Sequence, residues 1–296
     1  MKPFKHSLIV LALAAGSALA QPQAAMDPQA DGIPVTRMSG LRQLSDPAAV
    51  DQQSKLQYTQ LLRDAQQKNA LLPDNHPQVK RLRAIAARIV PSAVRWNPAA
   101  ANWRWEVNIL NSDQVNAFCM PGGRIAFFSG ILTKLNLTDD EVAMVMGHEI
   151  AHALREHARE QEGKAKVTSL AARIGGALFS HYTGVDPRLS DAGANAIGQG
   201  FMLKFSRGDE SEADAVGMDL AARAGFDPRA GIALWQKMGA VNQRQPLEFL
   251  STHPSGTTRI QEMNRNMPLV LPVYARVRGQ DVNKLPPYQS SSLPRS

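Results

Sequence analysis

The stretch Thr138-Asp139-Asp140-Glu141-Val142-Ala143-Met144-Val145-Met146-Gly147-His148-Glu149-Ile150-Ala151-His152-Ala153-Leu154 decides the reading of this chain. Thr138 followed by Glu141 is a capping box, and Asp139 and Asp140 lie where the positive end of a helix dipole favours acidic groups. The residues that follow are apolar on several sides, so the helix is predicted to be buried. Within it lies the pattern HExxH. His148 and His152 are four apart and share one helix face, so they aim two imidazole nitrogens at one point. That is what a zinc ion requires of its first two ligands, and Glu149 is placed to take a proton from a water at that point. A helix bearing two surface histidines is the plainer reading. Its apolar flanks count against it, because buried His and Glu need partners or a metal.

A catalytic zinc usually takes three protein ligands. The extended pattern HExxHxxGxxH fails: Arg155 stands at the glycine position and Ala158 at the third histidine. Glu156 would point further along the same helix, and Glu160 and Glu162 read as solvated. The better candidate is Ser206-Arg207-Gly208-Asp209-Glu210-Ser211-Glu212-Ala213-Asp214. Glu210 and Asp214 share a helix face, so Glu210 is the expected third ligand. Asp214 is expected to accept the other N–H of a ligating histidine. Acidic residues also favour a helix N-terminus without any metal, and Glu212, two residues off the Glu210 face, fits that description better.

Three separated blocks resemble the zinc endopeptidases related to the type I CAAX prenyl proteases and to HtpX. The nearest likeness is to the periplasmic bacterial members of the LoiP and BepA kind, without the helical-repeat domain. The blocks are Asn116–Ile125 with Gly130-Ile131-Leu132, the HEIAH helix to about Ala158, and Ser206–Gly217 with Ala224–Pro228. Thr252-His253-Pro254 and Arg259 extend them, so the likeness covers roughly residues 50–265. It implies zinc ligands at His148, His152 and Glu210, a general base at Glu149, and a carboxylate behind the ligand shell at Asp214, sometimes assigned a proton-donor role. It also implies a histidine near the active site at His253, which either stabilises the oxyanion or caps the fourth zinc position in a resting form. A loop histidine beside a proline is the plainer alternative for His253.

The chain has 296 residues, a formal charge of +7 and one cysteine, Cys119, so no intrachain disulfide forms. Met1 to Ala20 carries Lys2 and Lys5, an apolar run from Ser7, and Ala18-Leu19-Ala20. It reads as a cleaved signal peptide, leaving a charge of +5 (7 − 2 = 5). Periplasmic localisation follows as an expectation. No run is long enough for a transmembrane span. The basic residues are scattered, with little aromatic interleaving, so a nucleic-acid partner is not expected. A weak preference for anionic membrane surfaces or acidic chains stays open.

The expected organisation is a signal peptide over 1–20, a flexible leader over 21–45, a zinc metallopeptidase domain over 46–279 and a disordered tail over 280–296. Helices are predicted over 47–72, to about Val90, from 139 to about 158, over 209–224 and 228–241, and over 257–266, where Pro268 ends the last. Strands are predicted at 103–109, 116–120 and 124–129. The Ala-, Gly- and Ser-rich segment over 161–205 is a candidate mobile cover for the zinc cleft. The fold class is thus α+β: a mostly helical, gluzincin-type zinc peptidase with a small antiparallel sheet whose edge strand borders the active-site helix. Gly123–Phe128 is the expected edge strand that takes substrate backbone.

The expected function is zinc-dependent hydrolysis of peptide bonds, with one Zn2+ per chain and the oxyanion met by zinc with His253 or Arg259. The expected substrates are unfolded or misfolded polypeptides. The resemblance points to quality control of envelope and outer-membrane proteins, and peripheral association with the outer membrane or its assembly machinery is left open. The alternative is a zinc-bearing latent protease acting mainly as a chaperone-like binder of clients, with His253 on the metal.

Overall fold

The computed structural model describes residues 31–35, 37–169, 205–243, 246–253 and 257–292. The expected signal peptide, residues 21–30 of the leader and most of the proposed cleft cover lie outside the described residues. α1 (Pro47–Gln67) starts at Asp46, whose side chain accepts from the Ala48 N–H, with Pro47 in the first turn. α2 (Pro77–Ile89) buries Val79, Leu82, Ile85, Ala86 and Ile89 at helical spacing. Three strands follow, β1 (Glu106–Leu110), β2 (Ala117–Met120) and β3 (Arg124–Phe128), then α3 (Ser129–Lys134) and α4 (Asp139–Leu154). Residues 157–169 are helical and are called α5. α6 (Arg207–Arg223), α7 (Ala230–Asn242), α8 (Glu248–Thr252) and α9 (Thr257–Val277) complete the described fold.

The α+β class holds, and α4 begins on the expected capping box, with both Thr138–Glu141 hydrogen bonds made. Every α4 residue from Glu141 to Leu154 is buried, and α4 is wrapped by α2, β2, α6 and α7. The sheet differs from expectation in two ways. Its order is β1-β3-β2, with β1 parallel to β3 and β2 antiparallel to it, so it is mixed rather than antiparallel. The tight turn Pro121-Gly122-Gly123 joins β2 to β3 as a hairpin. The longer connection after β1 brings the chain around so that β3 runs alongside β1 in the same direction. Consequently Gly123–Phe128 is not an edge strand: β3 is central, and β2 is the edge that packs on α4.

Two further expectations change. α9 does not stop at Pro268 but continues through Pro268 and Pro272 to Val277. These prolines are four apart and exposed, as is Asn264 one turn earlier, so the carbonyls left without N–H donors face water. Met263, Val270 and Val273 on the other side are buried and hold the helix to the core. Nor are residues 280–292 a loose tail. Tyr288 Oη lies 2.8 Å from Thr138 Oγ1, Ser290 Oγ donates to Glu141 Oε1, and Lys237 Nζ reaches both Glu141 Oε2 (2.7 Å) and Ser291 Oγ (2.8 Å). At the other end, Ile33 is buried and Asp31 pairs with Arg223 and Arg276, so residues 31–35 also pack on the domain.

α4 and α6 form the largest helix pair, and they cross backbone to backbone. A Cβ on Gly147 would lie 2.9 Å from the Gly217 carbonyl oxygen, and a Cβ on Gly217 would lie 2.8 Å from the His148 nitrogen. Gly217→Val should therefore destabilise the fold by about 1–3 kcal/mol, which for a domain of this size lowers Tm by roughly 2–12 °C. Gly239, with open space around its Cβ position on α7, is the control. Gly239→Ala should leave stability unchanged or raise it by up to about 1 kcal/mol. Thermal melts of both variants check this pair, and a Gly217→Val protein as stable as the parent would refute the close crossing.

Candidate metal centre

The crossing decides which side chains meet. On α6, Glu210, Asp214 and Gly217 recur at helical spacing, so the face that touches α4 through Gly217 also presents both carboxylates to His148. His148 Nε2 and His152 Nε2 lie 3.1 Å apart. Glu210 reaches them with Oε2 3.5 Å from His148 Nε2 and Oε1 3.6 Å from His152 Nε2. His253, just past α8, adds Nδ1 at 2.9 Å from Glu210 Oε1 and 3.3 Å from His148 Nε2. One nitrogen or oxygen from each of these four buried residues lies within 4.8 Å of every other.

Behind the cluster, His148 Nδ1 is 3.0 Å from Asp214 Oδ1. Arg259, from the first turn of α9, donates to Asp214 through Nε (2.6 Å) and Nη2 (2.5 Å) and to Glu210 Oε2 through Nη1 (2.6 Å). Its guanidinium lies 3.8 Å over the Trp235 ring. Of His253 and Arg259, the two alternatives for the oxyanion, Arg259 is buried against the carboxylates of Asp214 and Glu210, tying α9 to α6. Phe249 stacks on His253 with ring centroids 4.4 Å apart, and Phe205 stacks on His152 at 3.9 Å.

The electrostatics suit a cation. Burial works against a charge on His148, yet Asp214 and Glu210 raise its pKa to about 9. Burial and the neighbouring His148 and His253 hold His152 well below the ordinary range, as a neutral imidazole. Burial also opposes ionisation of Glu210, but contacts with His148 and His253 outweigh it and keep the carboxylate charged. Three imidazole nitrogens and a carboxylate oxygen form a donor set that zinc accepts. Glu149, by contrast, has its pKa raised by burial, and its Oε1 has no hydrogen-bond partner; His253 Nε2 lies 3.6 Å from it. A buried carboxylate oxygen left without a donor fits a group that must receive a proton from a bound water.

The cluster opens on a cavity of about 210 Å3. Glu149, His152 and His253 contribute to its wall, and Phe118, Phe128 and Phe205 are among the residues that make it largely apolar. Asp214 is not part of the described cavity wall. All six expected site residues, His148, Glu149, His152, Glu210, Asp214 and His253, are thus brought together. Glu212, read as an acidic residue of the helix N-terminus, is half-buried and paired as well: Oε1 accepts from Arg155 Nη2 (2.8 Å) and Oε2 lies 2.9 Å from His157 Nε2. His157 and the aromatic rings gave no sequence signal, because their placement depends on where α4 ends and on loops that meet only in the folded chain. Glu156 turns away, paired with Arg42 (2.8 Å) and Arg159 (2.6 Å).

Residues 76–266 match the model of peptidase family M48. The mitochondrial metalloendopeptidase OMA1 of Saccharomyces cerevisiae is 34% identical over 235 residues, covering 73% of this chain and 63% of that protein. OMA1 of Homo sapiens is 33% identical over 187 residues, covering 60% and 35%. The Beta-barrel assembly-enhancing protease of Escherichia coli (strain K12) is 27% identical over 172 residues, covering 55% and 35%. The chain belongs to peptidase family M48, and it spans between about a third and two thirds of the length of these relatives. The match supports the family rather than the LoiP and BepA branch in particular, since the relatives named OMA1 match at higher identity.

The buried pairing predicts the effect of one deletion. Arg259→Met leaves Asp214 and Glu210 buried without their cation, which should cost about 3–5 kcal/mol. Chemical denaturation of parent and variant measures it; a loss under about 1 kcal/mol would show that the guanidinium is dispensable.

Proposed function

We propose that this M48 chain is a zinc-dependent endopeptidase acting on unfolded or misfolded polypeptides. The observation that carries the reading is the meeting of His148, His152 and Glu210 beside an unpartnered Glu149 oxygen at the wall of an apolar cavity. His148, His152 and Glu210 would hold the metal. Zinc bound there would lower the pKa of a water towards about 7 and polarise the scissile carbonyl. Glu149 takes the proton of the attacking water at Oε1 and returns it to the leaving nitrogen. Asp214, held by Arg259, keeps the His148 ring oriented with Nε2 towards the cluster.

Strand β2 is the candidate substrate rail. Phe128 N–H donates to the Asn116 carbonyl, so Asn116, Phe118 and Met120 bond inward to β3, while the backbone groups of Ala117 and Cys119 turn outward. Asn116 Oδ1 already accepts the Ala117 N–H, leaving the Ala117 carbonyl and both Cys119 groups facing outward for an added strand. A rail that reads backbone beside an apolar cavity favours extended, apolar segments, which folded proteins hide.

Envelope and outer-membrane clients in a periplasm are the proposed setting. The N-terminal stretch with its A-x-A site supports the compartment, and relatives named Beta-barrel assembly-enhancing protease support the client class. A second reading has its own observation: His253 Nδ1 sits within the cluster, 2.9 Å from Glu210 Oε1, where it would occupy the fourth position of a zinc ion. In that reading the protein is latent and binds clients until His253 withdraws.

Zinc content and casein cleavage, measured for the parent and for Glu149→Gln, test the function. One zinc per chain in both proteins is expected, with cleavage lost by about 100- to 10,000-fold in the variant. Absence of zinc from the parent would refute the metallopeptidase reading. If zinc is present and the parent cleaves slowly, His253→Ala is expected to raise the rate; an unchanged rate would refute latency. Cys119→Pro, which removes an outward N–H from an edge strand, should raise KM for casein and leave the zinc content unchanged.

A further inference from the structure

His157 is a buried histidine, 1% exposed, for which the mechanism above has no task. It follows His152 by five residues, so an unbroken helix would turn it roughly 140° away. The helix is broken. Arg155 and Glu156 form a turn in which Glu156 takes the left-handed φ of 58°, and the Arg42 and Arg159 contacts hold its side chain there. α5 therefore restarts at a new angle, and His157 Nδ1 comes to 2.8 Å from His152 Nδ1, with the rings 4.9 Å apart at 74°. On its other side His157 Nε2 is 2.9 Å from Glu212 Oε2, and Glu212 Oε1 accepts from Arg155 Nη2.

The proton positions follow from these contacts. Two ring nitrogens 2.8 Å apart need one donor and one acceptor. A neutral His152 that offers Nε2 to a metal carries its proton on Nδ1 and donates it to His157 Nδ1. The proton of His157 then sits on Nε2 and goes to Glu212. Each buried nitrogen has a partner under this assignment, and the relay ends on a carboxylate paired with Arg155.

We propose that His157 and Glu212 are positioning residues that fix the tautomer and ring angle of His152 for metal binding, the counterpart of Asp214 behind His148. The inference rests on the zinc reading. It differs from the Asp214 arrangement in placing a second imidazole between ligand and carboxylate. Glu212 lies two residues from Glu210 on α6, so one helix would supply a ligand and the outer supports of both ligating histidines.

The test is zinc affinity of the full chain, measured by competition with a chromogenic chelator. His157→Phe, which removes the acceptor, should weaken binding about 10- to 100-fold. His157→Asn, which returns an acceptor near the Nδ1 position, should recover part of that loss. In a His152→Ala background His157→Phe should change affinity no further, whereas a residue that merely supports the fold would act in both backgrounds. Parent-like affinity of His157→Phe would overturn the proposal, as would an equal loss in the His152→Ala background. Should His157→Phe fail to fold, Glu212→Gln replaces it: a several-fold loss supports the relay, and parent affinity overturns it. A parent that binds no zinc would instead refute the metal reading on which the relay depends.

Discussion

The close crossing of α4 and α6 at Gly147 and Gly217 is the constraint from which the site follows. Helices normally stand 8–10 Å apart, with side chains between them. Here each helix lacks a Cβ where the two backbones touch, so the carboxylates of α6 come to the histidines of α4 rather than stopping a side chain's width away. Glu210 and Asp214 then need only helical spacing from Gly217 to arrive on the correct face. A larger side chain at either glycine would separate the donors of the cluster before it disturbed any of them directly.

Such an approach concentrates charge in a place with little water. His148, Glu210, Asp214 and Arg259 are all buried, and none is balanced alone. Arg259 answers both carboxylates at once, and the Trp235 ring beneath it contributes a face of negative potential. The cluster is therefore a mutual arrangement drawn from α4, α6, α8 and α9, elements that are distant in the chain. Its cavity side is of a different character: aromatic rings from β2, β3 and the stretch before α6 surround Glu149 and leave one of its oxygens without a donor.

Much of this is legible in the sequence, because it is written in local spacing. The capping box announced where α4 starts, four-residue intervals paired His148 with His152 and Glu210 with Asp214, and the turn at Pro121-Gly122-Gly123 announced the hairpin. What stayed hidden depends on contacts between distant segments. That β1 runs parallel to β3, and so makes β2 the edge, is a matter of topology that alternation cannot express. The passage of α9 through Pro268 and Pro272 depends on which side of the helix meets water. The break at Arg155 and Glu156 contains no glycine or proline; it exists because Arg42 and Arg159 hold Glu156, and with it went the position of His157 and the meaning of Glu212. Residues 280–292 carry a composition that reads as loose chain, yet their hydroxyls find partners on α4.

That last contact has a bearing on how the molecule is assembled in time. Glu141 caps the helix that bears HExxH, and its charge is met by Lys237, 96 residues further along, and by Ser290, 149 residues further along. During synthesis α4 emerges long before either partner. The cap of this helix lacks its lysine and serine partners until those later segments have been made. The helix that bears HExxH is thus made early, and its N-terminal cap is completed only by partners made much later in the chain.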